Sequence, residues 1–127
     1  MGRKKILYIE DNPANVLFMT QLIRRCTDCE LLSESNARSG LRMLEQQPFD
    51  LLLLDINLPD MNGFDVLAKM RTMPELRKLP VIALSADAMP EQIAKGKAAG
   101  FEAYLTKPLE IAALLDQLGK SLGRAPD

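Results

Sequence analysis

Four short apolar runs in this chain each end on a residue able to do chemistry. ILYI runs into Glu10-Asp11, DLLLL into Asp55 and PVIAL into Ser85, while EAYL is followed by Lys107-Pro108. Three carboxylates brought together repel one another and call for a cation. There is no His in the chain and no paired Cys near these positions. Hard oxygen donors of this kind favour Mg²⁺ or Mn²⁺ over zinc. Mg²⁺ takes one or two carboxylates, keeps waters and shares the rest of its shell with a phosphate. A lysine beside such a site offers a point charge to phosphate oxygens, and a serine hydroxyl offers a hydrogen bond. Together the parts suit phosphoryl transfer, in which a protein chiefly positions groups and neutralises charge. An aspartate carboxylate is a competent nucleophile for that step. Each signal alone is weak, because an acid after a strand is commonly a helix cap. The weight lies in their convergence.

Convergence requires a fold that brings four strand ends to one edge. Five apolar runs (Ile6 to Ile9, Glu30 to Glu34, Asp50 to Leu54, Pro80 to Leu84 and Glu102 to Leu105) alternate with amphipathic stretches. Those around Leu52 and Ile82 are continuously apolar, as in strands covered on both faces of a parallel sheet, whereas the second is polar enough for an edge. Asn12-Pro13 predicts a helix start, followed by Val16, Met19, Ile23 and Cys26 at helical spacing. Asn36 and Asn62 are expected to cap a second and third helix, carrying Leu41 and Leu44, and Phe64, Leu67 and Met70. Pro90 opens a fourth, and Ile111, Leu114, Leu115, Leu118 and Leu122 stripe a fifth. The pattern predicts an α/β fold: one doubly wound (βα)₅ flavodoxin-like domain with right-handed crossovers and a five-stranded parallel sheet of order 2-1-3-4-5. In such a sheet ligands bind beyond the carboxyl ends of the strands. The domain is expected over residues 1–122, with Gly123 to Asp127 a loose tail. The fourth helix holds one large aliphatic residue, Ile93, and reads equally as a small surface helix and as a lightly anchored element able to shift.

The 127 residues suffice for one domain with a real core. A net charge of −1 supplies no field toward nucleic acid or membrane, and the Arg3-Lys4-Lys5 cluster reads as a solvated strand entrance. No apolar run approaches the ~20 residues that span a bilayer. The opening apolar stretch is too short for a signal peptide, so a cytoplasmic location is expected. Cys26 and Cys29 form a lone C-x-x-C without further zinc ligands and read as two reduced thiols. Absence of His excludes a Ser-His-Asp triad, an imidazole metal site and an internal phosphohistidine.

The blocks ILYIEDN, LLLLDINLPDMNGFD, ALSADAM and GFEAYLTKPL resemble, in order, the receiver domains of two-component signalling. The stretches DNPANVLFMTQLI and SADAMPEQIAKGKAAGFEAYLTKPL are most similar to those of hybrid histidine kinases. The resemblance implies that Asp55 is the phosphoacceptor and that Asp11 contacts the metal, with Glu10 joining through water. It implies that the backbone carbonyl of Asn57 completes the metal shell, that Lys107 binds the phosphoryl group, and that the Lys107-Pro108 bond is cis. Ser85 is then the switch hydroxyl and Tyr104 the aromatic switch residue, which turns inward as that hydroxyl moves. Two departures are mild: the acidic pair is Glu-Asp, and the switch hydroxyl is Ser rather than Thr.

The implied partners are a histidine kinase or histidine phosphotransfer protein as donor, and a downstream protein at the face of the fourth helix, fifth strand and fifth helix. Neither nucleic-acid binding nor membrane insertion is expected. Such a domain catalyses only its own phosphorylation and dephosphorylation. Asn57 and Asp87 side chains are candidates to tune phosphate lifetime. Plainer readings stand beside these: Tyr104 as a half-buried strand aromatic with a solvated hydroxyl, Gly63 as a turn residue, Met61 and Met89 as loop filler. A phosphate-independent pseudo-receiver is the alternative, opposed by the complete set Asp11, Asp55, Ser85 and Lys107. A flavin carrier would need a phosphate cradle where EDNPAN is acidic, and an aspartate-nucleophile phosphatase would place its nucleophile after the first strand. No output, ATP-binding or phosphotransfer module is present, which fits a stand-alone receiver and a piece of a larger chain equally.

Overall fold

The computed structural model describes residues 3–123. Of the loose tail expected over Gly123 to Asp127, residues 124–127 lie outside the described residues. Five strands and five helices alternate: β1 (Lys5–Ile9), α1 (Pro13–Cys26), β2 (Glu30–Glu34), α2 (Ala37–Gln46), β3 (Leu51–Asp55), α3 (Gly63–Arg71), β4 (Val81–Ser85), α4 (Pro90–Ala99), β5 (Ala103–Thr106) and α5 (Ile111–Ser121). A 3₁₀ turn over Pro74–Leu76 precedes β4. The sheet is wholly parallel, in the order β2-β1-β3-β4-β5. This is the expected flavodoxin-like architecture.

Alternation along the strands divides the core into two layers. Leu7, Ile9, Leu52, Leu54, Val81 and Ala83 face Ala37 and Leu44 of α2 and Val66, Leu67 and Met70 of α3. Ile6, Tyr8, Leu51, Leu53, Ile82 and Leu84 face Met19, Leu22 and Ile23 of α1 and Leu114 and Leu118 of α5. The side chains of β3 and β4 are buried throughout, while β2 at the edge is partly exposed. Each fully buried Leu or Ile contributes about 1.5–3 kcal/mol by leaving water, so these central strands supply a large share of the core's stability.

Local chemistry sets the helix starts. Asn12 Oδ1 accepts from the N–H groups of Ala14 and Asn15, Asn36 from Ser39, and Asn62 from Phe64. The start of α2 has a second support that is remote in sequence: Asp60 accepts from the N–H groups of Ala37 (2.9 Å) and Arg38 (3.0 Å), which holds its carboxyl below the usual carboxylate range.

Three details differ from expectation. The runs after Asp50, Pro80 and Glu102 enter the sheet one residue later, so Asp55 and Ser85 are themselves the last strand residues; Pro80 lacks an N–H and contributes only its carbonyl, accepting from Leu52. Cys26 does not continue the inward stripe of α1. Leu22 does, and the last turn, Arg24 to Cys26, is exposed. Ile111 is exposed at the start of α5. Both cysteines are free, with Cys29 buried.

Helix α4 is lightly anchored, as its sequence implies. It has no side-chain cap at its start, buries only Gly96 fully, and ends at Gly100, whose φ of 112° is a left-handed conformation suited to glycine.

Candidate functional site

The carboxyl ends of β1, β3, β4 and β5 form one edge, and the predicted residues meet there. Glu10 follows β1, and its N–H donates to the Glu34 carbonyl of the neighbouring strand (3.0 Å). Glu10, Asp55 and Ser85 are buried polar residues at this edge. Carboxylate oxygens of Glu10, Asp11 and Asp55 lie within 4.8 Å of one another. Lys107, reaching across from the loop after β5, sets its Nζ 3.2 Å from Glu10 Oε1 and 3.5 Å from Asp55 Oδ1. The Lys107-Pro108 bond is cis, as expected.

Glu10 is held by three donors. The Asn12 N–H donates to Oε2 (3.1 Å), while the Tyr8 hydroxyl (3.1 Å) and Lys107 Nζ both donate to Oε1. Burial alone would raise its pKa, but the Asn12 N–H, Lys107 and Tyr8 together hold it below the usual carboxylate range. Asp55 goes the other way: burial first, then the neighbouring Glu10 charge, raises it from 3.8 to about 6, with Lys107 and the Asn57 N–H opposing. Burial, and next the Glu10 carboxylate, push the Tyr8 hydroxyl well above its ordinary value, so it stays a donor.

The loop after β3 supplies Asn57, whose N–H donates to Asp55 Oδ1 (3.2 Å) and which bridges to Asn62. Gly63 closes this loop by donating its N–H to the Ile56 carbonyl (2.7 Å). The need for glycine here is spatial: an added Cβ would lie 2.8 Å from Ile56 Cα.

The predicted switch pair is joined through a third residue. Ser85 Oγ accepts from the Asp87 N–H (3.0 Å), and the Tyr104 hydroxyl donates to the Asp87 carbonyl (3.1 Å). Tyr104 is therefore turned inward, with its ring against Gly96 of α4. This displaces the plainer reading of a half-buried aromatic with a solvated hydroxyl. The Asp87 side chain accepts from the Met89 N–H, within its own turn.

In the sequence Tyr8 reads only as a strand residue. The period of two along a strand carries the signal, since residues 8 and 10 must share a face. Asp60 was also missed, because its partners stand more than twenty positions away.

The donor set fits a hard divalent cation: three carboxylates close together, oxygen ligands only, and a buried Asp whose charge is disfavoured without a counterion. A buried anionic nucleophile flanked by an ammonium and a cation site is equipped to accept a phosphoryl group.

Fold and site thus define a receiver-type α/β domain with an acidic pocket at its carboxyl edge. The model of the response regulator receiver domain family matches residues 6–119, and the chain belongs to that family. It is 31% identical over 122 residues to the polar-differentiation response regulator DivK of Brucella anthropi, covering 96% of this chain and 98% of that one. It is 34% identical over 116 residues to the sensory/regulatory protein RpfC of Xanthomonas campestris, covering 90% of this chain but only 16% of that protein. The chain therefore spans a small part of that relative. Among solved structures, the receiver domain of a Pseudomonas aeruginosa sensor histidine kinase is similar at a TM-score of 0.86 and 29% identity, covering 96% of this chain and 99% of that one; that structure holds a magnesium ion in its active-site cleft. Among the described residues, no helix is long and apolar enough to cross a membrane.

Proposed function

We propose that this protein is a phosphoacceptor switch of a two-component phosphorelay, receiving its phosphoryl group on Asp55. The observation that carries the reading is Lys107 Nζ standing between Glu10 Oε1 and Asp55 Oδ1 at 3.2 and 3.5 Å, beside three carboxylates within 4.8 Å. An Asp55 oxygen attacks the phosphorus of a partner's phosphohistidine. The P–N bond breaks, its electron pair leaves on the imidazole nitrogen, and that nitrogen takes a proton from solvent. The product is an acyl phosphate on Asp55. Later attack by water on phosphorus returns the carboxylate and releases inorganic phosphate.

Asp11, Asp55, the Asn57 carbonyl and Glu10 would hold Mg²⁺ (or Mn²⁺), which neutralises the oxygens of the transferring group when bound. Lys107 binds the phosphoryl group. Ser85 Oγ leaves the Asp87 N–H for a phosphoryl oxygen, and the loop that follows carries with it the Asp87 carbonyl on which the already inward Tyr104 is held. The altered face of α4, β5 and α5 is read by a downstream protein, with the domain acting as a unit over residues 1–122 in the cytoplasm. The donor is a histidine kinase or a histidine phosphotransfer protein, since the chain has no His of its own.

A pseudo-receiver working without phosphate would not require Asp11, Asp55, Ser85 and Lys107 together. Incubation with a small phosphodonor and Mg²⁺, followed by mass mapping, decides between the two. One label on Asp55, absent in Asp55→Ala and after chelation, is expected. An unlabelled wild type would establish the pseudo-receiver instead.

A further inference from the structure

We infer that Tyr8 is a positioning residue of this site: its buried hydroxyl fixes the Glu10 carboxylate and, through the shared Oε1, holds Lys107 beside Asp55. The inference rests on the function proposed above. Tyr8 is 1% exposed in β1, among Ile6, Met19, Ile23 and Leu53. An apolar layer has no use for a hydroxyl, and a buried one is a cost unless bonded. Here its single hydrogen bond among the described residues is the one to Glu10 Oε1, at 3.1 Å.

Nor does Glu10 need Tyr8 merely to be satisfied. Oε1 already accepts from Lys107 and Oε2 from the Asn12 N–H. The third donor therefore acts on orientation. It restrains a side chain with three rotatable bonds before any ligand arrives, as partners behind metal ligands commonly do. Tyr8 and Lys107 also line one cavity of about 250 Å³, with Phe18, Met19 and Pro108, so they reach Glu10 as neighbours. The length of the glutamate matters to this arrangement. An aspartate at position 10 would draw its oxygens back by about 1.5 Å, out of reach of the Tyr8 hydroxyl.

The experiment is a double-mutant cycle read by calorimetric Mg²⁺ titration of the unphosphorylated protein. Tyr8→Phe is expected to weaken Mg²⁺ binding about tenfold. The same change in a Glu10→Asp background is expected to leave the affinity as it was. Thermal unfolding followed by circular dichroism accompanies each variant and separates a loosened fold from a displaced carboxylate. Wild-type affinity in Tyr8→Phe would overturn the inference, as would equal weakening in both backgrounds, which marks general loosening. Asp55 labelling of the wild type distinguishes the two levels. A labelled wild type with an indifferent Tyr8→Phe sinks the role of Tyr8 alone, whereas an unlabelled wild type sinks the function and this role with it.

Discussion

As the proposed phosphoacceptor, Asp55 would answer two opposed demands, ionised for attack and buried among other acids. Its pKa is lifted from 3.8 to about 6 by burial and by Glu10. An acid whose pKa rises on folding binds its proton more readily in the folded state, so its ionisation removes stability as pH climbs from about 4 to about 6. Above that window the loss is complete. Asp55→Asn is accordingly expected to stabilise the metal-free protein by roughly 2–3 kcal/mol at about pH 7.5, and by nothing near pH 4. Denaturant unfolding at the two pH values checks this, and equal stability at both would refute the assigned electrostatics. At this scale the sequence was informative wherever chemistry ends a strand: Glu10, Asp11, Asp55, Ser85 and Lys107 were legible as polar stops on apolar runs. Tyr8 was not, because its partner is defined by facing rather than by adjacency.

Helix α4 and strand β5 meet at a close contact whose tolerance can be measured. A Cβ on Gly96 would sit 2.5 Å from Tyr104 Cδ2. Alanine is the better helix former by about 1 kcal/mol, but overpacking of a filled contact costs about 1–3 kcal/mol. Gly96→Ala should therefore push the Tyr104 ring outward. The chain has two tyrosines and no tryptophan, and Tyr8 is enclosed, so acrylamide quenching of tyrosine fluorescence reports Tyr104. Greater quenching in the variant is expected; unchanged quenching would show that the ring has room to spare. The caps Asn12, Asn36 and Asn62 and the helix-opening Pro13 and Pro90 were legible because each acts within three residues. The strand limits shifted by one because register is decided by the neighbouring strand, and Cys26 faced solvent because the last turn of α1 follows its Arg24-Arg25 pair into water.

The molecule as a whole is a sheet whose order turns back between β1 and β3, and the carboxylates sit on either side of that turning point. Stability and cation binding are therefore linked. A divalent ion that binds only the folded chain should stabilise it by about 1.4 kcal/mol per tenfold concentration above its Kd. A rising unfolding midpoint in a Mg²⁺ series, abolished by chelation and reduced in Asp55→Asn, is the expected record. A midpoint indifferent to Mg²⁺ would remove the metal from the site. Alternating patterns made the (βα)₅ order and the exposed edge at β2 readable in advance. The tie from Asp60 to the start of α2 was not readable, since only the closed fold brings the two together.

The clasp on Asp87 has a genetic consequence. Ser85 holds its N–H and Tyr104 its carbonyl, so two strands grip one residue entirely by its main chain. Replacing the side chain leaves this grip intact and removes only the bond that the Met89 N–H donates to it, so Asp87→Ala is a poor probe of the joint. Ser85→Ala and Tyr104→Phe each cut one jaw. Their combined effect on stability should fall short of the sum, and simple additivity would mean that the jaws work independently. The side chain at position 87 can therefore vary without loosening either main-chain contact beneath it.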